Sequence, residues 1–230
     1  DSSSRIPLRI GIVEDSPPLI FRLDGNWAGI EADLGRALAE RLGMKPVFVP
    51  LPPRQLSTAL LQGNVDILMA GITISEELRT QMDFCRPYLV VGQAALVRTP
   101  DLPLFNTEIK VRTTSQRAGV VSGSSGDRLV SSYFANASRT AFPNAQKAMT
   151  ALLQNQIDLF VHDAPAAWWM ALAHEGKLSI APALFAREEI AWGIRRESIS
   201  LRSSANQALE AWQKDGTLES ILQRWIPYSK

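Results

Sequence analysis

The sequence predicts an α/β protein of two lobes, each a mainly parallel sheet flanked by helices. Three observations carry this. The chain has 230 residues, of which 46% are hydrophobic and 20% charged, enough for a sizeable core in one large domain or in two lobes of about 100 residues each. Short apolar runs alternate with amphipathic stretches along the whole chain, the pattern of strands joined by helical crossovers. No Gly/Ser/Pro-rich tether separates the halves, so the crossings between them are expected to be ordinary extended segments.

Residues 8–13 read as the first strand. Residues 29–42 follow as a helix, because Ile30, Leu34, Ala37, Leu38 and Leu42 recur at helical spacing and Gly43 is placed to cap the end. A second strand over 45–49, a short helix over 54–62 closed by Gly63, and a third strand over 66–70 running into Gly71-Ile72-Thr73 extend the alternation. A helical turn at 76–82 and a strand at 93–98 come next. The second half repeats this grammar with a strand at 118–122, helices at 126–134 and 145–154, a strand at 158–162 and a helix at 165–174. Residues 178–180 and 190–194 read as further strands. Residues 203–225 form one or two helices whose buried faces carry Leu209, Trp212, Ile221, Leu222 and Trp225. Placing the crossings near 88–92 and 188–191 assigns 1–89 and 190–230 to one lobe and 90–189 to the other, the closing helices returning to the first.

Charge narrows the partners. Twenty-four Lys plus Arg against 23 Asp plus Glu leave a formal +1, so no global field attracts nucleic acid or an anionic membrane. One cysteine, Cys85, permits no internal disulfide, and with only His162 and His174 beside it no metal site is expected. No apolar run reaches the roughly 18–20 residues of a membrane span, since residues 164–173 are short and broken by Pro165. The opening Asp1-Ser2-Ser3-Ser4 lacks a basic n-region and apolar h-region, so a targeting segment has either been removed or never existed.

Several motifs then stand in register: Leu8-Arg9-Ile10-Gly11, Asp15-Ser16-Pro17-Pro18, Gly29-Ile30-Glu31-Ala32-Asp33-Leu34, Ala70-Gly71-Ile72-Thr73-Ile74-Ser75, and Asp83-Phe84-Cys85-Arg86-Pro87-Tyr88. The second half adds Gly119-Val120-Val121-Ser122-Gly123-Ser124-Ser125, Asn155-Gln156-Ile157-Asp158-Leu159, Val161-His162-Asp163-Ala164-Pro165 and Asp215-Gly216-Thr217-Leu218. In this order and spacing the chain resembles the family 3 extracellular solute-binding proteins of the polar-amino-acid-binding type, over essentially its whole length. The resemblance implies the type II periplasmic-binding-protein fold with two hinge crossings. It implies a monomer in the periplasm, without cofactor, that closes on a small polar, amine-bearing solute and passes it to the membrane subunits of an ABC transporter. Alternative readings are the sensing domain of a membrane-bound signalling protein, the regulatory domain of a cell-wall enzyme, and a cyclohexadienyl-dehydratase-like enzyme.

The site residues follow. Ser122-Gly123-Ser124-Ser125-Gly126 lies between a strand and a helix, where backbone N–H groups and hydroxyls face an anion; a plain capped turn would use the same residues. By the resemblance Ser124 and Ser125 hold the ligand's α-carboxylate. Asp163, an acceptor at a strand end, is assigned to its amino group; as an alternative or in addition it N-caps the helix that begins at Pro165. Ser16, Ala70, Gly71 and Thr73 complete the expected contacts. Ser16 and Pro53 stand where relatives often carry stacking aromatics, with Trp27, Trp168, Trp169 and Trp192 as candidate replacement surfaces. Leu78 stands where the family carries a carboxylate-clamping arginine, a bidentate pairing that leucine cannot imitate. Arg54 and Arg79 are the candidate substitutes. His162 beside Asp163 invites a hydrolase reading, but no Gly-x-Ser-x-Gly elbow leads out of a strand. Cys85 is expected to act as a small buried hydrophobe.

Overall fold

The structure is a computed structural model and describes residues 4–226; positions 1–3 and 227–230, which the expected lobe boundaries include, lie outside the described residues. The chain forms two compact units, one of residues up to Val90 together with Glu188–Trp225, the other of Val91–Arg187 with Ile226.

Unit 1 begins with β1 (Pro7–Ile12), a hairpin of β2 (Phe21–Leu23) and β3 (Asn26–Ala28), and helix α1 (Ile30–Arg41). It continues through β4 (Lys45–Pro50), a 3₁₀ turn over Pro53–Gln55, α2 (Leu56–Leu61), β5 (Ile67–Leu68), α3 (Glu76–Arg79) and β6 (Asp83–Phe84). Leu8, Ile10 and Ile12 of β1 are fully buried and hold the centre of this sheet. Both β4 and β5 run parallel to β1, with Ile10 opposite Phe48 on one side and Ile67 on the other.

Unit 2 contains β7 (Leu89–Arg98), a 3₁₀ stretch over Thr99–Phe105, α4 (Glu108–Arg112), β8 (Arg117–Val121), α5 (Ser125–Tyr133) and β9 (Ser138–Phe142). There follow α6 (Ala145–Leu153), β10 (Leu159–Asp163), α7 (Ala164–Ala173) and β11 (Leu178–Ile190), whose order in the sheet is β11-β7-β10-β8-β9. Period-2 alternation sends Leu159 and Val161 of β10 to a cluster with Val130 and Phe134 of the α5 region. Phe160 goes to the opposite cluster, with Ala148, Leu152 and Ala171 of α6 and α7. The chain then returns through β12 (Gly193–Ile194), α8 (Ile199–Asp215) and α9 (Thr217–Trp225), the last two separated by Gly216 at φ 83°. In unit 1, Trp225 Nε1 donates to Asp33 of α1 at 2.8 Å.

The expected α/β class with helix-flanked sheets is present, and each sheet adds antiparallel strands to its parallel ones; two expectations about single elements need correction. In unit 1, ordered β4-β1-β5-β12-β6, strand β12 runs antiparallel to β5 and β6; in unit 2, β7 runs antiparallel to β10. Strands that enter from a crossing have no helical crossover to restore the parallel sense. The strand expected over 178–180 runs on to Ile190 as β11, and the one expected over 190–194 is confined to β12. Strand β9 was absent from the periodicity because it is an exposed edge, Ser138-Arg139-Thr140, with no apolar face to alternate.

Candidate functional site

In unit 1 the candidate residues gather where β1, β4 and β5 end, the end at which open α/β sheets receive ligands. Val13, Glu14 and Asp15 after β1 and residues 50–53 after β4 line a cavity of about 390 Å³. Ser16 is held in a tight turn, its amide donating to Ile20 O at 2.7 Å and its carbonyl accepting from Leu19 and Ile20. Leu19 of that turn packs on Gly71: a Cβ there would lie 2.6 Å from Leu19 Cδ1, at φ 65°. The left-handed backbone favours glycine here, and any larger residue would also push Leu19 aside. Ala70 is buried beside it. Thr73 bridges Ile190 while the bonds are made by its neighbours, Ile74 N to Glu189 O at 2.9 Å and Ala191 N to Ile72 O at 3.2 Å. The amides of Gly71 and Thr73 have no partner among the described residues.

Leu78 is turned inward. It packs with Val13, Leu51 and Ile72 against the cluster of Leu56, Leu60 and Met82, and its amide is capped by Ser75 Oγ at 3.1 Å. Arg79 and Arg54 are exposed, and neither makes an ion pair among the described residues. Trp192 is fully buried between Tyr88 and Trp212, at centroid distances of 5.8 and 6.5 Å, and Trp168 is buried, so these two serve the core. Trp27 lies under the Arg22 guanidinium at 4.1 Å. Cys85 is buried, and burial pushes its thiol up to about 12.

Unit 2 supplies the second group. Ser124 is the N-cap of α5, its Oγ accepting from Asp127 N at 3.1 Å. Asp127 accepts from the Gly123 amide at 2.8 Å and from Arg139 Nε and Nη2 at 2.6 and 2.9 Å. The Arg139 guanidinium, with that amide, holds the Asp127 carboxyl down at about 2. One step on, Ser125 Oγ accepts from Arg128 Nη2 at 2.9 Å, while the amides of Ser125 and Gly126 have no partner among the described residues. Gly126 lets α5 lie directly on β10, since a Cβ there would sit 2.4 Å from Val161 O.

Asp163 begins α7 but makes no side-chain cap. Its exposed carboxylate accepts instead from Gln93 Nε2 at 2.7 Å, Gln93 being its register partner on β7. Alternation along β10 puts Asp163 on the α5 face of the sheet and His162 on the other. His162 stacks on Phe160 at 5.0 Å and leaves Nδ1 buried without a partner among the described residues; burial holds its pKa below the usual imidazole value. Gln93 and Arg128 are the groups that sequence reasoning missed. Gln93 left a signal, as the one hydrogen-bonding side chain in the run from Leu89 to Val97.

Two α/β units, each leaving free amides beside small polar side chains where a sheet or helix ends, are the construction of a protein that captures a small solute. The chain belongs to the bacterial extracellular solute-binding proteins, family 3, which it matches over residues 8–228. It is 24% identical to the L-cystine-binding protein TcyJ of Escherichia coli K12 over 95% of this chain and 82% of that protein. It is 25% identical to the cyclohexadienyl dehydratase of Pseudomonas aeruginosa, over 96% and 83%. Among solved structures it superposes on the ancestral cationic amino acid solute-binding protein AncCDT-1 with a TM-score of 0.81, at 28% identity and covering 96% and 95% of the two chains. Binding proteins and an enzyme therefore both occur among its relatives.

Proposed function

We propose that this chain is a periplasmic, monomeric carrier that binds a small polar, amine-bearing solute, an amino acid or a derivative, and presents it to the membrane subunits of an ABC transporter. The two units act as lobes that close at the crossings near residues 90 and 188. The observation that carries the reading is the pairing of opposite functions in one unit. Asp163 offers an exposed carboxylate to an ammonium, and the Ser125 and Gly126 amides offer unspent donors to a carboxylate. Ser16, Ala70, Gly71, Thr73 and Ser124 supply the remaining contacts. The amino-acid ligands in the names of TcyJ and AncCDT-1 support the same chemistry. Binding without reaction is favoured over dehydration because the groups gathered here, amides, hydroxyls and a carboxylate already hydrogen-bonded by Gln93, are donors and acceptors that suit a zwitterion.

A thermal-shift screen of L-cystine, L-arginine, L-lysine, L-histidine and L-glutamine tests this, with a turnover assay on a cyclohexadienyl acid alongside. A ligand at a hundred times its dissociation constant stabilises the fold by about 2.7 kcal/mol. A clear upward shift with one or more amino acids is expected. No shift with any of them, or turnover of the cyclohexadienyl acid, would overturn the carrier reading.

A further inference from the structure

We infer that Arg128 is the carboxylate clamp of this site. The inference rests on the amino-acid reading above and deepens it. Helix α5 starts with two unpartnered amides, Ser125 and Gly126, at the positive end of its dipole. The only carboxylate in its first turn, Asp127, is spent on Arg139 and the Gly123 amide. Arg128 adds a further positive charge at that end, where a cation is disfavoured. It is nevertheless pinned there, Nη1 donating to Gly123 O and Nη2 to Ser125 Oγ, both at 2.9 Å. No carboxylate pairs with it among the described residues. A cation that pairs with no carboxylate among the described residues, two free amides and a helix dipole meet at one helix end and form a receptor for one anion, and the remaining donors of the guanidinium fork suit a carboxylate.

A second observation shows that the ligand is also a donor. Gln93 is 5% exposed, and its Oε1 is buried without a partner among the described residues. That oxygen lies 3.0 Å from where a Cβ on Gly126 would stand, so it abuts the first turn of α5 where that turn rests on the sheet. Its Nε2 is committed to Asp163. Two acceptors, Asp163 and Gln93 Oε1, thus adjoin the anion receptor, an arrangement that fits a zwitterion. Leu78, packed into the core of unit 1, cannot serve as clamp, and Arg128 needs no such partner because its charge already lies on the same turn as the free amides.

Calorimetry with L-arginine, L-lysine, L-histidine and L-cystine, each beside its decarboxylated amine (agmatine, cadaverine, histamine, cystamine), separates the outcomes. Wild type is expected to prefer at least one amino acid over its amine. Arg128→Ala should weaken that amino acid about tenfold or more and leave the amine within about twofold, Arg128→Lys should fall between because it keeps charge but loses the fork, and Arg112→Ala should change nothing. Unfolding temperatures of the variants report that each is folded, and Arg128→Gln replaces Arg128→Ala if that variant is not. Unchanged amino-acid affinity in Arg128→Ala, equal loss for amino acid and amine, or loss confined to Arg54→Ala or Arg79→Ala overturns the inference alone. Wild type binding none of the four amino acids overturns the amino-acid reading, and this inference with it.

Discussion

Asp66 and Asp158 are the same residue of one local design, used once in each unit. Asp66 accepts from Arg9 through its backbone N, Nε and Nη2, at 2.8, 3.2 and 2.7 Å; Asp158 accepts from the same three atoms of Arg117, at 3.0, 2.9 and 2.9 Å. A further arginine ties each aspartate's neighbourhood to the end of the preceding helix. Arg195 Nη1 donates to Leu60 O and Val65 O, and Arg98 Nη1 to Leu152 O and Ile157 O. The helices share an identical segment, Thr58-Ala59-Leu60-Leu61-Gln62 and Thr150-Ala151-Leu152-Leu153-Gln154. The second arginine ties down the end of the helix, and the ion pair joins the start of the next strand to its parallel neighbour.

Asp158→Asn should lower stability at neutral pH by about 1–2 kcal/mol, the value of charged hydrogen bonds after discounting for the exposed Arg117. Arg117, helped by Arg98, holds this carboxyl at about 2, against an ordinary 3.8. A depressed carboxylate contributes stability above its unfolded pKa and loses it as pH falls through the folded one. Urea denaturation from pH 5 down to pH 2 should therefore show a steeper decline in wild type than in the variant, and parallel curves would contradict the assignment.

Glu31 should show the opposite sign. It is fully buried in α1, its carboxyl oxygens have no hydrogen-bond partner among the described residues, and burial raises its pKa well above the usual range. A raised carboxyl favours the fold below its unfolded pKa, and that contribution is lost as pH rises through the folded value. Glu31→Gln should remove this decline and be more stable than wild type at pH 8 by about 1 kcal/mol or more. Equal stabilities at pH 5 and pH 8 in both proteins would refute it.

Gly126→Ala should damage unit 2. The added methyl would meet Val161 O at 2.4 Å and Gln93 Oε1 at 3.0 Å, overpacking of the kind that costs about 1–3 kcal/mol. Thermal unfolding measures this directly; a variant as stable as wild type would mean that α5 can lift from β10 at no cost.

Asp163→Ala should weaken an amine-bearing ligand by about 1.5–3 kcal/mol, the scale of hydrogen bonds to a charged group. The carboxylate is exposed and does not cap α7, but it takes the Nε2 hydrogen bond of buried Gln93, so the unfolding temperature should fall modestly, and affinity is compared below it. Calorimetry showing unchanged affinity would remove Asp163 from the site.

Local chemistry along the chain was enough to read most of the elements and to name candidate site residues at their ends. Apolar periodicity marks β1, α1, β10 and α6, and Gly43, Gly63 and Gly216 end helices at positive φ. The Ser-Gly-rich turn before α5 and the loop at Gly71 declare themselves by residue type. Strand direction and side-chain partnership did not, because both depend on which distant segment lies alongside. Nothing near residue 93 announces that Gln93 will oppose Asp163, a pairing made by the register of β7 on β10. Leu78 reads equally well as a vacancy in a binding site and as a core residue until Met82 and Leu56 close around it. Arg128 lies three positions beyond Ser125, but its side chain is placed by hydrogen bonds to a loop whose geometry exists only once α5 is seated on β10. Periodicity reports which face of an element is apolar, and packing alone decides what that face and its polar edge meet.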